Sequence, residues 1–560
     1  MSHGYFDMHK AMLDQAVAAI HARTYWSPFA ELPSGRIYGE TAAADGEAAF
    51  RARLGGPFEI DQPSADGRVG NERSPYGIAL GITYPKPDID AMIAAAQAAL
   101  PAWRDAGPAA RVGICLEILA RLNARSFEIA HAVMHTTGQG FMMAFQAGGP
   151  HAQDRGLEAA AYAWEAMSGV PETARWEKPQ GKNPPLVLDK TFRMVPRGVA
   201  LVIGCATFPT WNGYPGLFAS LATGNPVIVK PHPMAVLPLA ITVETARAVL
   251  KEAGFDPNLM MLAVDTPDAP IAKELAQRPE IRIIDFTGSS EFGAWLEANA
   301  RQAQVYAEKS GVNPVVIGDF ADFAGLARNL AFSLSLYSGQ MCTTPQNIFV
   351  PRNGIRSGER TLSFDEVAAG LAAAVDKLLG DADRAAEVLG AIQSPATLER
   401  LDAARSLGMV VRASGAAAHP RFPDATLRTP LIVAVDARDE DKYAAELFGP
   451  ISFVIATDGL DQSIELMQRT AREHGAITAA VYADDPAVLR RAEDAAAEAG
   501  VALSCNLTGG VFVNQSAAFS DFHATGANPA ANASLTDPAF VAGRFRVVQS
   551  RVPVPSAAAE

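Results

Sequence analysis

Residues 197–231 read RGVALVIGCATFPTWNGYPGLFASLATGNPVIVKP. GVALVIG is short, apolar and β-branched, the texture of a buried strand. A loop with Pro209, Pro215 and several glycines follows, then a helical segment near residues 216–222. PVIVK, residues 226–230, is a second strand. Outward from this unit the spacing predicts a helix over 237–253, a strand over 259–264, a helix over 271–277, a strand over 281–286 and a helix starting at Ser290. Strand–helix alternation of this kind predicts an open parallel sheet flanked by helices, in which ligands sit at the carboxyl ends of the strands.

A second alternating block starts near Val305: a strand in NPVVIG, a helix over 321–337 and a strand over 347–350. Ser363 and Glu366 have capping-box spacing before a helix to about residue 379, and strands are expected at 431–435 and 452–456. Before the first unit, residues 7–22 read as a helix and 34–75 as an irregular lead-in. A helix from Asp90 breaks at Pro101 and is followed by another, in which Val112, Leu116, Leu119 and Leu122 form one stripe. Cys115 in that stripe reads as a core thiol. After residue 515 the chain turns polar and small, then ends in one β-like piece, RFRVVQS.

The 560 residues carry 47 basic and 61 acidic side chains, a formal net charge of −14. At roughly 150 residues per domain this length suggests three or four domains. With 49% apolar residues the composition is globular, and the negative balance argues against a broad nucleic-acid surface. No uninterrupted apolar run long enough to span a membrane stands out, and the N-terminus lacks the pattern of a secretory signal. Cys115, Cys205, Cys342 and Cys505 are far apart, so neither a disulfide framework nor a metal site is expected. The expectation is a reduced, cytoplasmic enzyme.

Three segments could carry chemistry. Cys342 stands in GQMCTTP, after a Gly-Gln turn and just before a strand, where a thiolate would be a good nucleophile for a carbonyl carbon. FTGSSEFG, residues 286–293, follows a strand and opens a helix; Gly288 and Gly293 permit close approach, and the amides around Ser289 could face a phosphate, although a plain strand-to-helix turn reads equally well. Glu308, in VYAEKSGVNP, is a candidate general base or a solvated loop charge.

Together and in this order the segments resemble the aldehyde dehydrogenase superfamily over about residues 90 to 515. TGNPVIVKP is similar to its A-T-G-N-x-V-x-x-K-P, FTGSSEFG to its F-T-G-S-x-x-x-G, AEKSGVNP to its E-L-G-G-K-N-P, GQMC to its G-Q-x-C, and ELFGP (residues 446–450) to its E-x-F-G-P. The lead-in, residues 188–216 and the tail VNQSAAFSDFHATGANPAAN look most like the PaaN branch, named for phenylacetate degradation. The resemblance implies a nucleophilic Cys342, a general base at Glu308, and cofactor contacts from Lys230 to the adenosine ribose, from Glu446 to the nicotinamide ribose and from Phe448 near the ring. It further implies a non-acylating oxidation of a CoA-linked semialdehyde, of the 3-oxo-5,6-didehydrosuberyl-CoA semialdehyde type, in a homodimer or homotetramer.

Three departures qualify it. CATFP puts Thr207 where most of the superfamily has an oxyanion-binding Asn, with Asn212 as the alternative donor. KPHP puts Pro233 where NAD-preferring relatives carry Glu, which points to NADP with NAD possible. Lys309-Ser310 replaces Leu-Gly. The alternatives are a CoA-acylating enzyme, a broad-range aldehyde dehydrogenase and a non-catalytic scaffold. Cys205 and Cys505 read as structural, and His232, His419 and His523 as isolated residues without a ligand role. The implied division is 1–182 lead-in and helical part, 183–196 oligomerisation hairpin, 197–304 Rossmann-like cofactor domain, 305–515 thiol domain and 516–560 tail with an oligomerisation strand.

Overall fold

The computed structural model describes residues 2–555; residue 1 and residues 556–560, at the outer ends of the first and last expected segments, lie outside them. Two parallel α/β sheets organise the chain. The first has five strands in the order Met260–Leu262, Val227–Lys230, Val199–Ile203, Ile281–Thr287, Gln304–Glu308, all parallel. Strands Val199–Ile203 and Val227–Lys230 are buried throughout, as uninterrupted apolar runs require when helices cover both faces. The second sheet has seven strands, with Val315–Ile317 and Asn347–Pro351 central and only the edge strand Met409–Arg412 antiparallel.

The fold is the open α/β architecture that the alternation implies. Its particulars differ in four places. Gln304–Glu308, expected to open the second block, pairs with Ile281–Thr287 and closes the first sheet. The helix Ile89–Asp105 runs through Pro101. That ring points outward, while Ala96, Ala99 and Trp103 are buried on the other side and Trp103 Nε1 donates to the Leu221 carbonyl at 2.9 Å. The lead-in is more regular than its Gly-rich texture suggests, with a helix at Ala42–Arg51 and a strand at Ser64–Val69. Asn183–Pro196 is one long strand rather than a hairpin; its hairpin partner is Thr173–Gln180, and Phe545–Pro553 pairs on its other side.

The C-terminal segment is tied back to the first sheet. Arg544, fully buried, sets two nitrogens against the Asp285 carboxylate at 2.6 and 2.7 Å and lies over the rings of Tyr306 and Phe540. Breaking one side of such a buried pair costs about 3–5 kcal/mol, so the tail is part of the fold.

Candidate active site

The carboxyl end of the first sheet meets the amino end of the second, and each contributes one reactive side chain. Glu308 is the last residue of strand Gln304–Glu308 and is 3% exposed. Its strand end is clamped by the tail: Ala307 N donates to Asn532 Oδ1 at 2.8 Å, and Lys309 N donates to the Ala530 carbonyl at 2.6 Å. The carboxylate accepts from Asn212 Nδ2 at 3.2 and 3.3 Å. Asn212 lies in the first turn of helix Pro209–Ala222.

Cys342 comes from the second sheet, in the loop before Asn347–Pro351. Tyr337, Ser338 and Gly339 all have positive φ, at 55°, 48° and 64°. Only glycine takes such a conformation freely, and at Gly339 a Cβ would lie 2.4 Å from the Gly449 carbonyl oxygen, so the thiol loop is pressed against the ELFGP loop. Gln340 fastens the turn, donating to the Tyr337 and Ala391 carbonyls and accepting from Gln393 N. Asn313 Nδ2 donates to the Cys342 and Thr344 carbonyls at 2.8 and 3.0 Å.

The half-buried Cys342 sulfur, the Glu308 carboxylate and His523 Nε2 lie within 4.8 Å of one another. Burial first, and then the negative charge of Glu308, hold the thiol well above its ordinary pKa. His523, read from sequence as isolated, is in fact part of this cluster, at 3.1 Å from Glu308 Oε1 and 3.9 Å from Cys342 Sγ. A cavity of about 20 Å³, room for one water, adjoins Glu308, Asn212 and Asp285.

Of the two expected oxyanion donors, Asn212 touches the cluster through Glu308. The Asn212 amide is engaged, donating to Glu308 with its nitrogen and accepting from Cys205 Sγ at 3.6 Å. The Thr207 carbonyl accepts from Gln139 Nε2 at 2.8 Å. Cys205 itself is buried, as expected.

The expected cofactor residues follow the strand ends. Gly288 N donates to the Glu308 carbonyl at 3.1 Å, and a Cβ there would collide with the Phe286 ring. Gly293 is required by the Lys309 side chain, 2.8 Å from where a Cβ would stand. Ser289 caps helix Ser290–Asn299 through Phe292 N, satisfying one of its free amides. Lys230, at the end of Val227–Lys230, is buried and forms an ion pair with Asp265 at 2.6 Å. Burial lowers the lysine pKa and Asp265 partly restores it. Although Pro233 replaces the Glu of NAD-preferring relatives, a carboxylate does face this corner: Asp265, three residues beyond strand Met260–Leu262, supplies it. Together the ammonium and carboxylate give a donor and an acceptor suited to a ribose diol. Across the cleft, burial raises the Glu446 pKa, with Ser310 and the Arg400 charge opposing the rise, and the Phe448 carbonyl accepts from Arg400 Nε at 3.0 Å.

Fold and site thus define a two-sheet α/β protein with a thiol and a carboxylate facing one another across a strand-end cleft. The chain belongs to the aldehyde dehydrogenase family, whose model matches residues 82–528. It is accordingly an enzyme that oxidises an aldehyde. It is 31% identical over 413 residues to an N-succinylglutamate 5-semialdehyde dehydrogenase of Burkholderia cenocepacia, covering 72% of this chain and 77% of the relative. A counterpart of the same description from Paraburkholderia xenovorans is 29% identical over 413 residues, with the same coverage. Among solved structures, an NAD-dependent aldehyde dehydrogenase from Burkholderia multivorans superposes with a TM-score of 0.98 at 62% identity over the whole of both chains. A Thermus thermophilus 1-pyrroline-5-carboxylate dehydrogenase variant shares the fold at TM-score 0.74 and 19% identity, covering 95% of this chain and 99% of that one. No helix among the described residues is long and apolar enough to cross a membrane.

Proposed function

We propose that the chain oxidises a CoA-linked semialdehyde to its acid with a nicotinamide cofactor, through a thiohemiacetal and then a thioester on Cys342. The observation that carries this reading is the convergence of the Cys342 sulfur and the Glu308 carboxylate, with His523, inside 4.8 Å where the two sheets meet. The sulfur attacks the aldehyde carbon. The Cys342 backbone amide and the Thr207 hydroxyl receive the oxyanion, while Asn212 keeps Glu308 aimed. The bound cofactor supplies the hydride acceptor. Glu308 then takes a proton from water, and the hydroxide cleaves the thioester.

Lys230 and Asp265 would hold the adenosine ribose, Glu446 the nicotinamide ribose, Phe448 would pack near the ring, and Gly288, Ser289 and Gly293 would line the dinucleotide path. A carboxylate beside the 2′ position repels a 2′-phosphate, so Asp265 supports NAD above NADP. The NAD dependence of the 62%-identical Burkholderia multivorans enzyme points the same way. The CoA-linked substrate is supported by the PaaN-like lead-in and tail. The curated relatives are named for another semialdehyde, which makes a free semialdehyde the reading to beat. Retention of Glu308 for hydrolysis speaks against the CoA-acylating alternative. In the proposed division, the strand Phe545–Pro553 with exposed Val547, Val548 and Val552 would pair with a second copy of the chain.

The test is cofactor reduction on CoA-linked and free semialdehydes with purified protein. A preference for the CoA-linked form in kcat/KM supports the reading; equal or better use of the free form replaces it with a broad-range dehydrogenase.

A further inference from the structure

His523 is 4% exposed and fixed on every side. Its backbone N–H and carbonyl pair with Leu535 at 3.0 and 2.8 Å. The Trp211 ring meets the imidazole edge-on at 4.7 Å, and Nδ1 faces Ser516 Oγ at 3.5 Å. These contacts leave Nε2 between the two reactive groups, 3.1 Å from Glu308 Oε1 and 3.9 Å from Cys342 Sγ.

We propose that His523 is a catalytic residue, the base that takes the thiol proton of Cys342 and returns a compensating positive charge beside Glu308. This rests on Cys342 being the nucleophile. In the step, the S–H bond breaks and an N–H bond forms at Nε2, leaving a thiolate and an imidazolium; nothing is oxidised or reduced. The new N–H donates to Glu308 Oε1. Sulfur and carboxylate face the same nitrogen, so the proton that leaves sulfur is the one that then bridges Nε2 to Glu308. Hydrolysis of the thioester releases the sulfur as a thiolate facing the same imidazolium, and the water proton taken by Glu308 leaves to solvent.

The surroundings give the step its reason. Without His523, ionising Cys342 would place two negative charges within 4.8 Å in a buried site; burial and Glu308 together hold the thiol high. Like charges at that separation resist joint ionisation, and an imidazolium between them relieves both. The other charges near the ring have partners of their own. Arg155, which reaches Ser516 Oγ at 3.1 Å and lies over Trp211, is paired with Glu158 at 2.9 Å. Asp521 accepts from Ala517 N, and Asn212 is neutral. Glu308 and Cys342 are thus the ionisable groups that touch the imidazole.

The experiment follows the rate of Cys342 alkylation by iodoacetamide against pH in the full-length protein, His523→Gln and Cys342→Ala. Glutamine can still donate to Glu308, so a purely structural role would be rescued by it. The expected result is a folded His523→Gln enzyme whose alkylation at neutral pH falls about tenfold or more, with its inflection moved upward beyond the ordinary thiol value of ~8.5. The burst of reduced cofactor should slow about 100-fold, with KM for aldehyde little changed. An alkylation profile superimposable on wild type overturns the proposal. Retained turnover in Cys342→Ala would instead overturn the nucleophile reading beneath it. Should His523→Gln fail to fold, ultraviolet thiolate absorbance of the wild type, referenced to Cys342→Ala, decides. Thiolate absorbance already present at neutral pH supports transfer to the imidazole, and growth only above ~8.5 overturns it.

Discussion

The loop that carries Cys342 and the tail that carries His523 deliver one side chain each to the same few ångströms, by opposite means. The thiol loop is shaped by its own backbone, a left-handed run at Tyr337, Ser338 and Gly339, and is tied mainly within the second block by Gln340 on the Ala391 carbonyl and Asn313 on the Cys342 carbonyl. The tail is held from far away in the chain. Arg155 donates to the Asp521 and Leu535 carbonyls and to Ser516, while Glu158 accepts from Phe519 N and Thr536 Oγ1. A turn shaped by its own backbone leaves a short motif; a tail placed by distant partners leaves no sign of what any one of its residues does. A site can therefore be half announced and half silent in its own sequence.

The contrast predicts that the loop can be disarmed without harm to the fold. Cys342→Ala should lower kcat on the order of 10,000-fold or more, as loss of a covalent nucleophile does, with the urea midpoint shifted little, because alanine keeps the Cβ and removes one partly buried atom. Residual turnover above about one percent would place the nucleophile elsewhere. Next in size is Glu308→Gln. Loss of a general base typically costs about 100- to 10,000-fold, here confined to hydrolysis, so the cofactor burst should persist while an acyl-enzyme accumulates, visible by intact mass. If burst and steady state fall equally, Glu308 serves the first half-reaction instead. Thr207→Val should cost about 100- to 1,000-fold in kcat, the usual loss for one oxyanion donor; an effect seen instead only in Asn212→Ala would move that role to the helix.

The same contrast explains what is legible in the sequence. The strand–helix alternation around Val199–Ile203 and Val227–Lys230 is legible because buried parallel strands are continuous apolar runs. The Ser363 capping box is legible for the same local reason and is present with both hydrogen bonds. The strands Thr478–Tyr482 and Ala502–Cys505 are not: they are short and Ala-rich, a texture that does not distinguish strand from helix. The sheet to which Gln304–Glu308 belongs depends on a pairing with Ile281–Thr287 that no local pattern encodes. Of the site, Cys342 and Glu308 are legible through their motifs. His523 is not: it stands within the tail stretch VNQSAAFSDFHATGANPAAN, whose resemblance carries no role for a histidine. Asp265 carries a usable signal, an acidic residue just past a strand's carboxyl end, which the KPHP reading of the cofactor corner leaves out of account.

Remote fastening makes the opposite prediction from Cys342→Ala. Arg155→Met leaves Glu158, with no exposed side-chain surface, with only the longer contact to Arg23 at 3.5 Å as a charge partner. The expected loss is about 3–5 kcal/mol of stability, read as a lowered urea midpoint. The double variant Arg155→Met with Glu158→Gln should recover part of it, since no bare charge remains. Equal instability in both variants would mean that the tail is held by its backbone bonds and its apolar contacts rather than by this pair.

The smallest effect expected is at Asp265, where strand-end chemistry sets a preference rather than a rate. Asp265 holds Lys230 at 2.6 Å in a corner where both side chains are almost fully buried. Asp265→Asn keeps a hydrogen-bonding group of the same shape but removes the charge that repels a 2′-phosphate and frees the ammonium to attract one. The ratio of kcat/KM for NADP to that for NAD should rise about tenfold, the equivalent of ~1.4 kcal/mol, mostly through KM for NADP. Unfolding midpoints of the two proteins should stay close, because the lysine can still donate to the asparagine oxygen. If the ratio is unchanged, the pair does not face the ribose, and the adenosine end of the cofactor must be held by groups away from this strand end. If NAD use collapses with no gain for NADP, Asp265 holds the ribose hydroxyls without discriminating at the 2′ position, and Lys230 alone governs the choice.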